Sequence, residues 1–385
     1  MLEIALFGKP NSGKSSFFKA ATMIDVEISP RPFTTIKPNR GVGHVIIDCV
    51  CKELNVNCKP KYGKCKDGKR YVPVQLWDIA GLVRDAHFGK GMGTAFLDDV
   101  RQSSALIHIV DASGMTDEEG KPTSGHDPSE DIEFLEKEID LWFAGVIERA
   151  LEKFKRTLAT SSRSDLVKIL TEQLSGLEIS KQNIEDTLEK TSITDIEKFA
   201  SEIRKISKPV LIAANKIDLE SARENFEKLK EKYSSIVPAS AEAEITLKKA
   251  AEAKLIDYLP GDNFTITGQL NDIQKKALEF LKAEVIDKYG STGVQKCLDK
   301  AVFELLNYIA VYPVADANKL VDTEGNVLPD VFLVPRGTTV KELAFRVHTE
   351  LGEKFICGVD ARTKRRLAAD YQLKNNDVIE IKFAK

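Results

Sequence analysis

The chain has 385 residues, of which 42% are hydrophobic and 30% charged, with a formal net charge of −3. That composition is ordinary for a globular protein of two or three domains. It excludes a global basic field that would draw nucleic acid, so any such contact needs a local patch. The apolar run Met1–Phe7 is far shorter than a membrane span and carries Glu3. No leader and no membrane contact are therefore expected, and the expected location is the cytoplasm.

The first predicted element is a buried strand, "LEIALF", and it runs directly into "GKPNSGKSSF". In that stretch Gly8, Gly13, Lys14 and Ser15 fit the phosphate-loop pattern. Glycines let the backbone curl until its N–H groups converge on phosphate oxygens, and the helix-like "SSFFKAATMI" that follows points its positive end at the same place. Asn11, Ser12, Gly13, Lys14, Ser15 and Ser16 are the expected nucleotide-binding residues here, with Lys14 on the outer phosphates and the Ser15 hydroxyl on Mg²⁺. Next comes a loop, "RPFTTIKPNRG", in which Thr34 and Thr35 can close the Mg²⁺ shell when a γ-phosphate is present. After the strand "GHVIID" lies "CVCKELNVNCKPKYGKC", with Cys49, Cys51, Cys58 and Cys65. Its spacing fits no standard zinc knuckle. Three readings stay open: a zinc site holding the loop, one or two disulfides, and four reduced thiols.

The strand "VPVQLWDIAG" ends in Asp-x-x-Gly. Asp78 can hold a Mg²⁺-bound water, and the Gly81 N–H can touch a γ-phosphate. "ALIHIVDAS" reads as a further strand. From 127 to about 207 the alternation stops. Asp127, Pro128 and Glu130 read as a helix start, and Ile132, Leu135, Ile139, Trp142, Val146, Ala150 and Phe154 recur at helical spacing. With Leu166, Leu170 and Leu174 this region is expected to be an inserted helical hairpin. "VLIAANKID" resumes the strands. There Asn215 can bridge loops, Lys216 can lie over a purine face and Asp218 can accept two hydrogen bonds from guanine. "SAE", Ser240, Ala241 and Glu242, can give a backbone N–H to the guanine carbonyl oxygen. Residues 219–306 read as largely helical. From about 308, "IAVYPV", "LPDVFLVPRG" and "DVIEIKFAK" read as strands and "TTVKELAFRVHTEL" as a capped amphipathic helix.

A phosphate loop alone suits a kinase, a transporter ATPase or a signalling switch. Five motifs in this order, in loops at one edge of a mainly parallel sheet, point to a GTPase switch. The expected architecture is α/β: a Ras-like P-loop domain over 1–126 and 208–306, the helical insertion over 127–207, and a compact β-rich domain over 307–385. Lys14, Thr35 and Gly81 are the expected catalytic contacts, and Ser15, Thr35 and, through water, Asp78 the Mg²⁺ site.

The sequence resembles the Obg family of translation-associated GTPases, in its Obg-like, YchF-type branch. The marks are "RPFTTIKPNRG", "DIAGLVRDAHFGKGMGTAFLDDVRQSSALIHIVD" and "DPSEDIEFLEKEID". The C-terminal "FLVPRGTTVKELAFRVHTELGEKF" and "LKNNDVIEIKF" resemble a TGS domain, a β-grasp module shared with threonyl-tRNA synthetases and stringent-response enzymes. The resemblance covers nearly the whole chain and implies a GTP/GDP switch that contacts the ribosome, rRNA or tRNA; a monomer is expected over an oligomer. Two features depart from the branch. Many members carry a non-standard base-reading motif and prefer ATP, whereas this chain has "NKID"; and the cysteine-rich insert is not general. Where Ras-like switches place a water-orienting glutamine there is Leu82. The resemblance points instead to K⁺, held partly by Asn11. His87 in "RDAHFGKGMG" reads either as a water-orienting group or, more simply, as an exposed loop histidine, and slow intrinsic hydrolysis is expected. The alternatives are an ATP-preferring relative and a nucleotide-gated assembly factor with negligible turnover of its own. Two basic runs are candidate RNA contacts: Lys59, Lys61, Lys64, Lys66, Lys69 and Arg70, and Arg362, Lys364, Arg365 and Arg366.

Overall fold

The computed structural model describes residues 1–25, 39–79, 99–152, 154, 162–177 and 179–384. The chain divides into two compact units, one of residues 3–42 and 75–297, the other of residues 1–2, 43–74 and 298–385. The insert between 43 and 74 therefore groups by its contacts with the C-terminal residues, although by sequence it interrupts the nucleotide domain.

The first unit is built on strands β1 (Glu3–Phe7), β2 (Asn39–Asp48), β4 (Lys69–Asp78), β5 (Ala105–Asp111), β6 (Val210–Asn215) and β7 (Ile236–Pro238), in the spatial order β2-β4-β1-β5-β6-β7. A short β3 (Lys64–Lys66), which belongs wholly to the other unit, pairs antiparallel with β4; of β2 and β4 only residues 39–42 and 75–78 belong to the first unit. β1 pairs in parallel with β4 and with β5, as do β5 with β6 and β6 with β7. Burial on both faces explains the unbroken apolar runs: Ile4, Ala5, Leu6 and Phe7 are fully buried, and every residue of β5 is buried. The register sets Leu6 beside Asp78 and Asp111 beside Asn215, so the polar ends of the central strands share one edge. Helix α1 (Lys14–Thr22) follows β1.

The insertion is more than a hairpin. It holds helices over Pro128–Glu152, Arg163–Gln173, Lys181–Lys190 and Ile196–Ser207. Ile132, Leu135 and Ile139 on the first are fully buried, and Leu170 and Leu174 join Leu135 and Ile139 in one apolar cluster. Asp127 accepts a hydrogen bond from the Ser129 N–H (2.9 Å) and so starts the first helix as its sequence suggests. The stretch expected to be largely helical also carries β7, β8 (Ile256–Tyr258) and β9 (Phe264–Ile266). Three residues are too few to display a period of two, which is why these strands leave no sequence signal.

In the second unit β10 (Tyr308–Val314), β11 (Phe332–Pro335), β12 (Phe355–Asp360), β13 (Arg366–Leu367) and β14 (Val378–Phe383) form a mixed sheet in the order β11-β10-β14-β12-β13. Its helix, Val340–Val347, is capped by Thr339 and Glu342 in a reciprocal pair. This is the strand–helix–strand arrangement of a β-grasp module. β12 goes unread in the sequence because its residues are mostly half-buried, without clean alternation.

Candidate functional site

The loop between β1 and α1 is held in a shape only glycine permits. Gly13 has φ 89°, and a Cβ there would lie 2.2 Å from the Asn215 amide nitrogen. A Cβ on Gly8 would meet the Ile109 carbonyl oxygen at 2.4 Å. Helix α1 opens with no side-chain cap and no acidic residue in its first turn. Its first N–H groups and the positive end of its dipole are thus left for an anion. Ser12 is buried and its hydroxyl has no hydrogen-bond partner among the described residues, a donor turned inward beside the same loop.

At the end of β4, buried Asp78 accepts from Lys14 Nζ (2.7 Å) and from Ser15 Oγ (2.9 Å). A lysine that can hold outer phosphates and two oxygens of the kind a hard divalent ion takes therefore converge at one point. The donor set fits Mg²⁺, which Ser15 could ligate directly and Asp78 through water. Thr34, Thr35, Gly81, Leu82 and His87 lie outside the described residues.

Asn215, at the end of β6, ties two loops together. Its Nδ2 donates to the Ser12 carbonyl (3.0 Å), and its Oδ1 accepts from the Ala241 N–H (3.1 Å). Lys216 has φ 64° and sends Nζ to the Asn11 carbonyl (2.9 Å) and to Asp111 Oδ2 (2.8 Å). Sequence reasoning missed Asp111. Burial alone would raise its carboxyl, but the Lys216 ammonium and hydrogen bonds from Ser113 and Thr116 outweigh that and hold it below the ordinary carboxylate range. Its signal was the polar end of "HIVD", the same signature that marks Asp78 and Asn215. Asn11 Nδ2 donates to the Gly120 carbonyl (2.8 Å), so the phosphate loop is fastened on that side as well.

Asp218 is half-buried and its carboxylate makes no hydrogen bond or ion pair among the described residues. Ser240 caps the helix Ala241–Glu252 by accepting from Ala243 N–H (3.1 Å), while its own N–H goes to Thr292. With the Ala241 N–H on Asn215, the Glu242 N–H is the one in this turn without a partner among the described residues.

Comparison with known proteins agrees with this arrangement. Residues 3–139 match the family described as 50S ribosome-binding GTPase, 213–316 that described as Obg-like GTPase YGR210-like, G4 motif-containing domain, and 324–383 the TGS domain. A protein of Methanocaldococcus jannaschii named as a GTP-binding protein is 47% identical over 391 residues, covering 99% of this chain and 99% of that one. The chain belongs to the Obg-like, YchF-type family of P-loop GTPases. The crystal structure of a GTP-binding protein from Pyrococcus horikoshii OT3 aligns over 100% of both chains, with a TM-score of 0.78 and 40% identity. A Bacillus subtilis relative named ribosome-binding ATPase YchF is 30% identical over 273 residues, 66% of this chain and 70% of that one. Membership of the YchF-type family brings nucleotide binding and a nucleotide-hydrolase scaffold that uses Mg²⁺. Among the described residues no helix is long and apolar enough to cross a membrane.

The two basic runs fare differently. Arg70 is 1% exposed and gives its guanidinium to the carbonyls of Leu328 (3.0 Å) and Pro329 (2.6 Å), so it is no part of a surface patch. Arg362 makes a two-bond pair with Glu53 (2.6 and 2.9 Å), and Lys364 bonds the Ala317 carbonyl (2.8 Å). Arg365 and Arg366 are exposed.

Proposed function

We propose that this YchF-type chain is a guanine-selective switch that binds GTP and GDP, hydrolyses GTP slowly and works in contact with the ribosome. The observation that carries the base assignment is the unpaired Asp218 carboxylate, three residues beyond the Asn215 that fastens both neighbouring loops. A carboxylate there accepts from the ring N–H and exocyclic amino group of guanine. Adenine offers neither donor in that geometry, and its ring nitrogen is an acceptor that would face the charge. An unmatched buried polar pair costs about 1–3 kcal/mol, more when charged, which is roughly tenfold to a hundredfold in affinity.

Asn11, Ser12, Gly13, Lys14, Ser15 and Ser16 would cradle the phosphates, Asn215, Lys216 and Asp218 the base, and the Ser240–Glu242 turn would give a backbone N–H to the guanine carbonyl. Lys14, with Thr35 and Gly81, would face the γ-phosphate. Ser15, Thr35 and Asp78 would hold Mg²⁺, whose chemistry is to neutralise charge on the β- and γ-phosphate oxygens. With leucine at 82, a K⁺ ion beside Asn11 would supply what glutamine supplies in Ras-like switches. The ribosomal reading rests on the B. subtilis relative's name and on the matched family's description. Titration of fluorescent GDP and ADP in Mg²⁺ buffer tests the base assignment: GDP is expected to bind at least about tenfold more tightly. Equal affinities would move the chain to the ATPase side of its family.

A further inference from the structure

The four cysteines of the insert gather in space although the sequence spaces them irregularly. Their sulfur atoms all lie within 4.8 Å of one another. Cys49 Sγ is 3.9 Å from Cys58 Sγ, and Cys51 Sγ is 3.8 Å from Cys65 Sγ. These are not disulfides, whose sulfurs stand about 2.05 Å apart. They match the edge of a tetrahedron of sulfurs around zinc, about 3.8 Å for Zn–S bonds of about 2.3 Å.

The backbone is built to bring them there. Cys49 and Cys51 sit in a tight turn just after β2, in which the Leu54 N–H bonds the Val50 carbonyl (2.9 Å) and the Val56 N–H the Cys51 carbonyl (3.0 Å). Cys65 lies on β3, opposite Arg70 across a hairpin turned by Asp67 and Gly68, both at positive φ. Cys58 comes from the loop between. Buried Tyr312, whose hydroxyl has no hydrogen-bond partner among the described residues, shares one packed cluster with Cys49. A thiolate there would accept from that hydroxyl, as the partners around metal-bound sulfurs do.

We propose that Cys49, Cys51, Cys58 and Cys65 bind one structural Zn²⁺ in a closed tetrathiolate site, which fixes the insert as a packing surface for the C-terminal β-grasp sheet. Cys49, Val50 and Cys51 share one apolar cluster with Tyr312, Val314 and Leu328. The insert also gives backbone N–H groups of Lys59 and Lys61 to the carbonyls of Val327 (2.8 Å) and Pro329 (3.0 Å). Between Cys49 and Lys64 the insert has no strand or helix of its own, so a metal bond joining its turn, its loop and β3 would add to the few backbone bonds and apolar contacts that hold that surface in shape. Binding would release the thiol protons as the four thiolates form.

Elemental analysis of the full chain purified without chelator is expected to give about one zinc per chain. Cys51→Ser and Cys58→Ser should reduce it to under about a tenth of that, while Cys357→Ser, outside the cluster, should leave it unchanged. Should the cluster variants fail to fold, wild-type protein exchanged with Co²⁺ decides: tetrahedral cobalt-thiolate absorption bands support the site. Metal-free protein whose intact mass lacks two or four hydrogens would replace the proposal with disulfides. Metal-free protein of full mass, with all the cluster thiols open to alkylation, would replace it with free cysteines. Iron in place of zinc would overturn the choice of metal.

Discussion

Asn215→Ala probes the joint on which the nucleotide site depends. The Asn215 side chain is buried, with 2% of the residue exposed, and makes one hydrogen bond to each of the two loops that would flank a base and its phosphates. Truncation leaves the Ser12 carbonyl and the Ala241 N–H without their partner. Each such loss costs about 1–3 kcal/mol. Water entering the space vacated by the amide recovers part of it, so about 2–3 kcal/mol in total is expected. Urea unfolding followed by tryptophan fluorescence reads this directly, because Trp77 is 1% exposed on β4 and reports on the same sheet. Nucleotide must then re-order both loops as it binds, and 2 kcal/mol transferred to binding is about 30-fold in affinity for GDP. Asn215→Asp separates hydrogen bonding from lost volume. It keeps an acceptor for the Ala241 N–H but sets a negative oxygen against the Ser12 carbonyl, so it should bind GDP no better than the alanine variant. If Asn215→Ala unfolds at the wild-type urea midpoint and binds GDP within about threefold of wild type, the joint does not organise the site.

Three further outcomes follow from particular residues. Burial, with the Lys9 ammonium adding to it, pushes the imidazole of His108 down to about 3, and His108 is fully buried against Phe7. Its folded value lies below its unfolded one, so its contribution is complete above about pH 6.5 and is lost as pH falls. At pH 5 the loss is about 2 kcal/mol, and His108→Leu should remove that share of the acid sensitivity of the urea midpoint. Gly13→Ala should abolish GDP binding and lower stability by about 2 kcal/mol or more, because its Cβ meets the Asn215 amide at 2.2 Å and the backbone is strained at φ 89°. Reversing charge at exposed Arg365 and Arg366 should weaken co-sedimentation with ribosomes and flatten its dependence on salt; Arg362 is unsuited to that test because its change would break the pair with Glu53.

The phosphate loop was legible because its chemistry leaves so few residue choices. Glycine at 8 and 13 answers close approaches that no side chain allows, and lysine and serine meet Asp78 at the strand ends where a parallel sheet puts its ligands. The bridging role read for Asn215 is visible in its two hydrogen bonds. What the sequence hid depended on contacts between distant segments. Nothing local distinguishes Arg70, which is capped by the carbonyls of Leu328 and Pro329, from the surface lysines around it. Cys49 looks like any loop cysteine until it packs against Tyr312. Asp111 shows its tie to Lys216 only once β5 and β6 are paired.

The central claim, that this chain reads guanine, is tested most directly by titrating Asp218→Asn with GDP, xanthosine diphosphate and ADP beside the wild type. The amide can no longer accept from both the ring N–H and the amino group of guanine, but it can donate to the ring carbonyl that xanthine carries in the amino group's place. The account predicts that GDP affinity falls at least about tenfold and that xanthosine diphosphate affinity rises by a similar factor, with ADP weak throughout. Wild type that binds ADP as well as GDP, or a variant whose GDP affinity is unchanged, would contradict it.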